Sequence, residues 1–162
     1  SQVIDDTTFI GGYESKHMTM IENISRLSYS MYLNEEAYNA LKQMYDDLYK
    51  NTKKRFLVTS AYKSYDVLNL EENTSQAGYS EFQLGTSVSL KVNGIKDVEF
   101  VSTDVYQWLL EHSYEYGYVL RYPSDKVTIT QKESCNIFRY VGKENAQKMH
   151  NQNLCLEELN NQ

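Results

Sequence analysis

Metal chemistry needs side chains with available lone pairs, and the softer ones in this chain are few: His17, His112, His150, Cys135 and Cys155. No two of them stand at a ligand spacing such as C-x-x-C or H-x-x-x-H. The histidines therefore read as surface or packing residues and the cysteines as small, half-buried thiols. A disulfide between Cys135 and Cys155 is the other reading of that pair in an exported protein. Fifteen tyrosines are many for 162 residues. Their flat faces and polar tips suit stacking on sugars or peptides, and they serve equally to fill the shell of a small domain.

Residues 80–89 carry the most specific pattern. Ser80, Phe82, Gly85 and Ser89 occupy the first, third, sixth and tenth places of a ten-residue block, with Gln83 between them. The block resembles the S-x-H-x-x-G-x-x-x-D element of the VanY-type D-alanyl-D-alanine carboxypeptidases, peptidase family M15, in which the His and Asp hold a catalytic zinc. Three further blocks follow the same order. Residues 58–65 are similar to the family's V-x-S-G-Y-R-S-Y strand and turn, with Lys63 at its Arg. Trp108, Leu109 and Leu110, followed by residues 116–123, are similar to W-L…Y-G-F-I-L-R-Y-P, and residues 138–142 match the end of E-P-W-H-[FY]-R-Y-V-G. The resemblance covers residues 31–160.

The resemblance implies the fold and, residue by residue, a loss of the chemistry. Phe82 falls on the first zinc His and Ser89 on the Asp. Counting back from Arg139 without a gap, Ile137 falls on the second zinc His and Ser134 on the catalytic Glu. A catalytic zinc takes about three nitrogen, sulfur or carboxylate ligands and an open position for water. Phe82 and Ile137 have no lone pair to offer, and Ser89 has only a hydroxyl. Ser134 cannot take a proton from water at neutral pH. Glu133 is the neighbouring candidate base, but alternation along a strand turns it to the other face. No metal and no cofactor is therefore expected.

Lys63 and Ser80 fall where the family contacts the terminal carboxylate of its substrate, one supplying positive charge and the other a hydroxyl donor. Three readings follow. The first is an inactive peptidase relative, a pseudopeptidase, that keeps a cleft for a peptidoglycan stem peptide or another ligand. The second is a protein-interaction module whose old pocket is filled by Phe82 and Ile137. The third is an active hydrolase with a relocated metal site, which needs ligands that the sequence does not show. The family context also implies an extracellular or cell-envelope location, reached through an export signal or anchor ahead of Ser1.

Composition bounds the remaining classes. The net charge is −6, from 22 acidic and 16 basic residues, and Lys53-Lys54-Arg55 is a short basic cluster. That balance argues against nucleic acid as partner, because phosphate binding needs a dense positive face. No apolar run approaches the roughly 20 residues of a membrane-spanning helix. With 41% hydrophobic residues the chain can bury one core.

The elements that must position these residues are legible in outline. Residues 1–30, with Gly11-Gly12, read as an arm or a leading strand with loops, and residues 31–162 as the carboxypeptidase-type domain. Asn34 caps a helix that runs to about Lys50, with Ala37, Leu41, Met44 and Leu48 on its buried face. Residues 56–59 form a strand that delivers Lys63, and residues 66–77 are a connection shorter than the helix-bearing segment of the family. Residues 87–92 form a strand, Asn93-Gly94 predicts a two-residue hairpin, and residues 95–100 are its returning partner. Ser102 or Thr103 caps a helix ending near Tyr116, with Gly117 just beyond it and His112 on a mixed face. Residues 127–130 are expected to pair as a strand with residues 135–141. Two helices, over residues 143–150 and 154–159, close the chain. The whole predicts an α+β fold with a central, mainly antiparallel sheet flanked by helices.

Overall fold

Asn34 ends a strand and begins a long helix. In the computed structural model, which describes Val3 and residues 17–70 and 80–162, its Oδ1 accepts the Glu36 and Ala37 amides at 3.1 and 3.4 Å. Helix α1 (Glu35–Thr52) buries Ala37, Leu41, Met44, Tyr45 and Leu48 along one face and stops where Lys53 adopts a left-handed conformation. Each Leu or Met buried there contributes about 1.5–3 kcal/mol. Ahead of it, strands β1 (Met18–Met20) and β2 (Tyr32–Asn34) form an antiparallel pair.

The central sheet contains β3 (Leu57–Ser60), β4 (Ser87–Lys91), β5 (Tyr118–Tyr122) and β6 (Ser134–Tyr140), in the order β3-β4-β6-β5 and antiparallel throughout. β4 reads Ser87, Val88, Ser89, Leu90, all four buried. Alternation sends Val88 and Leu90 to one face, where they join Phe138, Tyr118 and the buried side of α1 in the main core. Helix α3 (Asp104–His112), capped by Thr103 Oγ1 accepting the Tyr106 amide, adds Val105 and Leu109 to that face. The serines point to the opposite face, Ser87 directly across from Arg139 and Ser89 directly across from Ile137. One face of the sheet is apolar core and the other is polar and carries the site.

Helix α5 (Lys143–Gln152) and helix α6 (Leu156–Asn160) close the fold, with Ala146, Met149 and Leu156 meeting Val141 in a second, smaller cluster. The structure is the α+β arrangement expected, a mainly antiparallel sheet flanked by helices.

Several local expectations are corrected. Asn93 and Gly94 do make a turn, closed by the Ile95 amide on the Val92 carbonyl at 3.2 Å, but no returning strand follows. Residues 97–102 wind into a 3₁₀ helix that buries Phe100 and leaves Val98 exposed. The reason is topological: β3 and β6 already occupy both edges of β4. Residues 127–130 are likewise not a strand but a short helix, α4 (Val127–Thr130), because β6 already has β4 and β5 as neighbours. Val127 and Ile129 stay exposed on it. The connection after β3 begins with a helix, α2 (Tyr65–Leu70); residues 71–77 of that connection, like Gly11-Gly12, lie outside the described residues. Cys135 and Cys155 are both free thiols, the second buried under α6, so no disulfide joins them.

Gly117 shows how closely the strand ends approach. It holds φ at +88°, and a Cβ there would lie 2.7 Å from Tyr140 Cε1 and 3.0 Å from the Gly142 carbonyl carbon. Gly117→Ala is expected to lower stability by about 1–3 kcal/mol, seen as a lower urea midpoint with an unchanged slope.

Candidate active-site cleft

The segment from Ser80 to Gly85 is a single 3₁₀ turn laid on the polar face of the sheet. Ser80 Oγ accepts the Phe82 amide at 3.2 Å, and Gly85, at φ +75°, closes the turn with its amide on the Phe82 carbonyl. Glu81 anchors the turn from below. Its Oε2 accepts Ser87 Oγ at 2.6 Å and Arg139 Nη1 at 2.9 Å, the two residues that face each other across β4 and β6. Its Oε1 accepts Arg121 Nε at 2.9 Å. Arg121 lies in β5 where the register shifts between Leu120 and Tyr122, a place where strands re-aim side chains. Its outer nitrogens bond Glu157 of α6 at 2.7 and 3.2 Å.

This is a buried, charge-balanced cluster of two arginines and two carboxylates. Burial alone would push the Glu81 carboxyl up, but Arg139 and Arg121 beside it, with the Ser87 hydroxyl, hold it below the usual carboxylate range. The Arg121 guanidinium, resisted by burial, is held charged by Glu81 and by Glu157. Neither Glu81 nor Glu157 stood out in the sequence. The signal was there in Arg121 and Arg139, each inside an apolar strand, since an arginine buried in a sheet requires a carboxylate.

Above the turn lies a cleft of about 300 Å³. It is lined by Ser80, Glu81 and Phe82 of the turn, by Tyr122 of β5, by Ser134 and Ile137 of β6, and by Lys132 and Glu133. Phe82 and Ile137 are both half-buried and line this space without closing it. Ser134 Oγ donates to Asn136 Oδ1 at 2.8 Å, and the exposed Glu133 also lines a neighbouring cavity of about 390 Å³ that reaches Cys135 and Tyr106. Burial pushes the Cys135 thiol above its ordinary value, so it is a poor nucleophile. Lys63 stands beside Phe82, its amide bonded to the Phe82 carbonyl at 3.2 Å and its Nζ 5.8 Å from the ring centre.

The fold thus gathers the residues singled out from the sequence. Ser80, Phe82, Ser134 and Ile137 share the cleft, Lys63 adjoins it through Phe82, and Ser89 lies beside Ile137 in the ladder. Glu133, expected on the other face, lines the cleft too, because it precedes β6 and strand alternation does not apply to it. His112 is apart from it, tilted against Trp108 with Nδ1 2.8 Å from Glu115. The side chains of Phe82, Ser89 and Ile137 do not fit a zinc ion, since together they present a ring, a hydroxyl and an alkyl group. Among the described residues no group of three or more His, Cys, Asp or Glu side chains is placed to hold a metal.

Residues 67–143 match the family described as VanY: D-alanyl-D-alanine carboxypeptidase. A D-alanyl-D-alanine carboxypeptidase of Enterococcus faecium is 32% identical over 152 residues, which cover 89% of this chain and 49% of the relative. The chain carries a VanY-type domain over residues 67–143. Among solved structures of VanY-type proteins and their neighbours, an LdcB LD-carboxypeptidase whose structure concerns peptidoglycan recognition superposes with a TM-score of 0.87 at 28% identity, covering 98% of this chain and 84% of that one. VanYB in complex with D-alanine-D-alanine superposes with a TM-score of 0.77 at 27% identity, covering 99% and 96%. This VanY-type chain spans 31% to 53% of the length of the curated relatives it matches.

Proposed function

We propose that this VanY-type chain is a catalytically inactive carboxypeptidase relative that binds the carboxyl end of a cell-wall peptide in its cleft, at the cell envelope. The observation that carries the reading is the donor set around the cleft. Phe82 and Ile137 line it with carbon, and Ser89 beside Ile137 offers a hydroxyl, so the lone pairs that would hold a metal are missing where the family resemblance puts them. Ser134, at the position of the catalytic Glu, is engaged with Asn136. The space itself is retained, which favours a ligand over a filled core. Lys63 and Ser80 stand on the Phe82 side of it, where an ammonium and a hydroxyl suit a terminal carboxylate. A lysine holds a carboxylate as a point charge, without the bidentate fork of arginine, so binding is weak.

The experiment combines metal analysis of the purified chain with calorimetric titration of a peptide ending in D-Ala-D-Ala and a mass-spectrometric search for released D-alanine. The expected result is zinc far below stoichiometric amounts, saturable binding and no release. Lys63→Gln is expected to weaken that binding about tenfold. Stoichiometric zinc with turnover overturns the proposal. Absence of both binding and turnover also overturns it, in favour of a protein-interaction module.

A further inference from the structure

We infer that Glu157, on α6, is a positioning residue for the cleft and acts through Arg121. It touches none of the cleft itself, yet the connection is short and rigid. Both Glu157 oxygens hold the outer nitrogens of Arg121, the Arg121 Nε holds Glu81, and Glu81 sits in the chain between Ser80 and Phe82, both of which line the cleft. The Arg121 guanidinium also lies 4.5 Å from the centre of the ring of Tyr122, another residue that lines the cleft. One buried guanidinium therefore bonds Glu81, stacks on Tyr122 and is gripped by Glu157, and its planar fork makes all three contacts at once.

α6 has only five residues. Leu156 is buried in the smaller cluster, Glu158 reaches back to the Cys155 amide and bonds Lys126 at 2.8 Å, and Glu157 grips Arg121. The last leads toward the cleft, through Glu81. Neutralising Glu157 removes the charge and one of the two acceptors that hold the outer nitrogens of Arg121, and the brace on the turn carrying Ser80 and Phe82 is weakened. The coupling is a property of this fold, while its consequence for ligand affinity rests on the function proposed above.

The test compares hydrogen exchange of the Phe82, Gln83 and Gly85 amides in the whole chain, in Glu157→Gln and in Glu158→Gln. Glu81→Gln is unsuitable because it removes the carboxylate that Arg121 and Arg139 share and so destabilises the whole cluster. Glu157→Gln is expected to speed exchange in the turn about tenfold while the ladder of β3, β4 and β6 keeps its protection. Glu158→Gln, which weakens α6 without touching Arg121, is expected to leave the turn within about twofold of the parent. Equal acceleration in both variants, acceleration along the whole sheet, or no change in Glu157→Gln would each overturn the coupling. Titration with the D-Ala-D-Ala peptide then separates the two claims. If the parent binds, Glu157→Gln is expected to bind several-fold more weakly; if the parent does not, the functional reading fails and exchange alone decides the coupling.

Discussion

Glu81→Gln is expected to cost about 3–5 kcal/mol of folding stability, because it removes the charge that Arg121 and Arg139 were desolvated to meet. The amide has nearly the same shape, so packing is preserved and the loss is electrostatic. A Gln side chain can accept from one arginine through its oxygen, but its NH₂ group then faces a donor, at Arg139 Nη1 or at Arg121 Nε. Chemical denaturation with circular dichroism measures the change, and a cost below about 1 kcal/mol would mean that the cluster is not the brace described here. The same carboxylate predicts a pH dependence. A carboxyl held below its ordinary value of 4.5 stabilises the fold fully at pH values above that figure. This contribution is lost as the pH falls through the lower value of the folded state. Melting temperature is therefore expected to fall below about pH 4.5, and the fall is expected to be shallower in Glu81→Gln, which has no proton to bind there.

Phe82→His, Ser89→Asp and Ile137→His together are expected to create a zinc site that retains about one ion per chain at neutral pH. Ser89 and Ile137 are direct cross-strand partners, so their Cβ atoms stand about 4.5–5.5 Å apart, close enough for two ligands to share an ion. Phe82 lines the same cleft as Ile137. Two imidazole nitrogens and a carboxylate then replace groups that can donate little or nothing. The triple variant is expected to bind zinc without hydrolysing a D-Ala-D-Ala peptide, since Ser134 at the catalytic position is unable to accept a proton and the neighbouring Glu133 is solvent-exposed. Adding Ser134→Glu supplies the missing carboxylate and is expected to bring measurable release of D-alanine. Metal analysis after dialysis against a chelator reads the first effect, and mass spectrometry the second. A folded triple variant without zinc would show that the three positions do not converge as the resemblance implies.

Legibility varied with the range of the interaction. The caps at Asn34 and Thr103 and the glycine at Gly117 were readable because each signal and its effect lie within a few residues. The expected strands at 95–100 and 127–130 failed for the opposite reason. Asn93-Gly94 and the β-branched run from Val127 express local preferences, and neither reveals that the edges of β4 and β6 are already taken. Cys135 and Cys155 illustrate the same limit, since two thiols in one sequence carry no information on whether the fold brings them together. At the cleft, the order of the matched blocks predicted which residues would meet. Glu81 escaped notice because its two arginines lie 40 and 58 residues further along the chain.

The amino-acid sequence by itself determined the fold class and the chemical identity of the side chains at the cleft: carbon at Phe82 and Ile137, hydroxyls at Ser89 and Ser134, an ammonium at Lys63. Those are properties of single residues in a recognisable order, and folding cannot give a phenyl ring a lone pair. Only the tertiary structure decided that the space between Phe82 and Ile137 stays open, and that Glu81, Arg121, Arg139 and Glu157 form one buried cluster beneath it. Burial and ion pairing depend on which distant segments meet, and that is settled by the packing of β4, β5, β6 and α6 together.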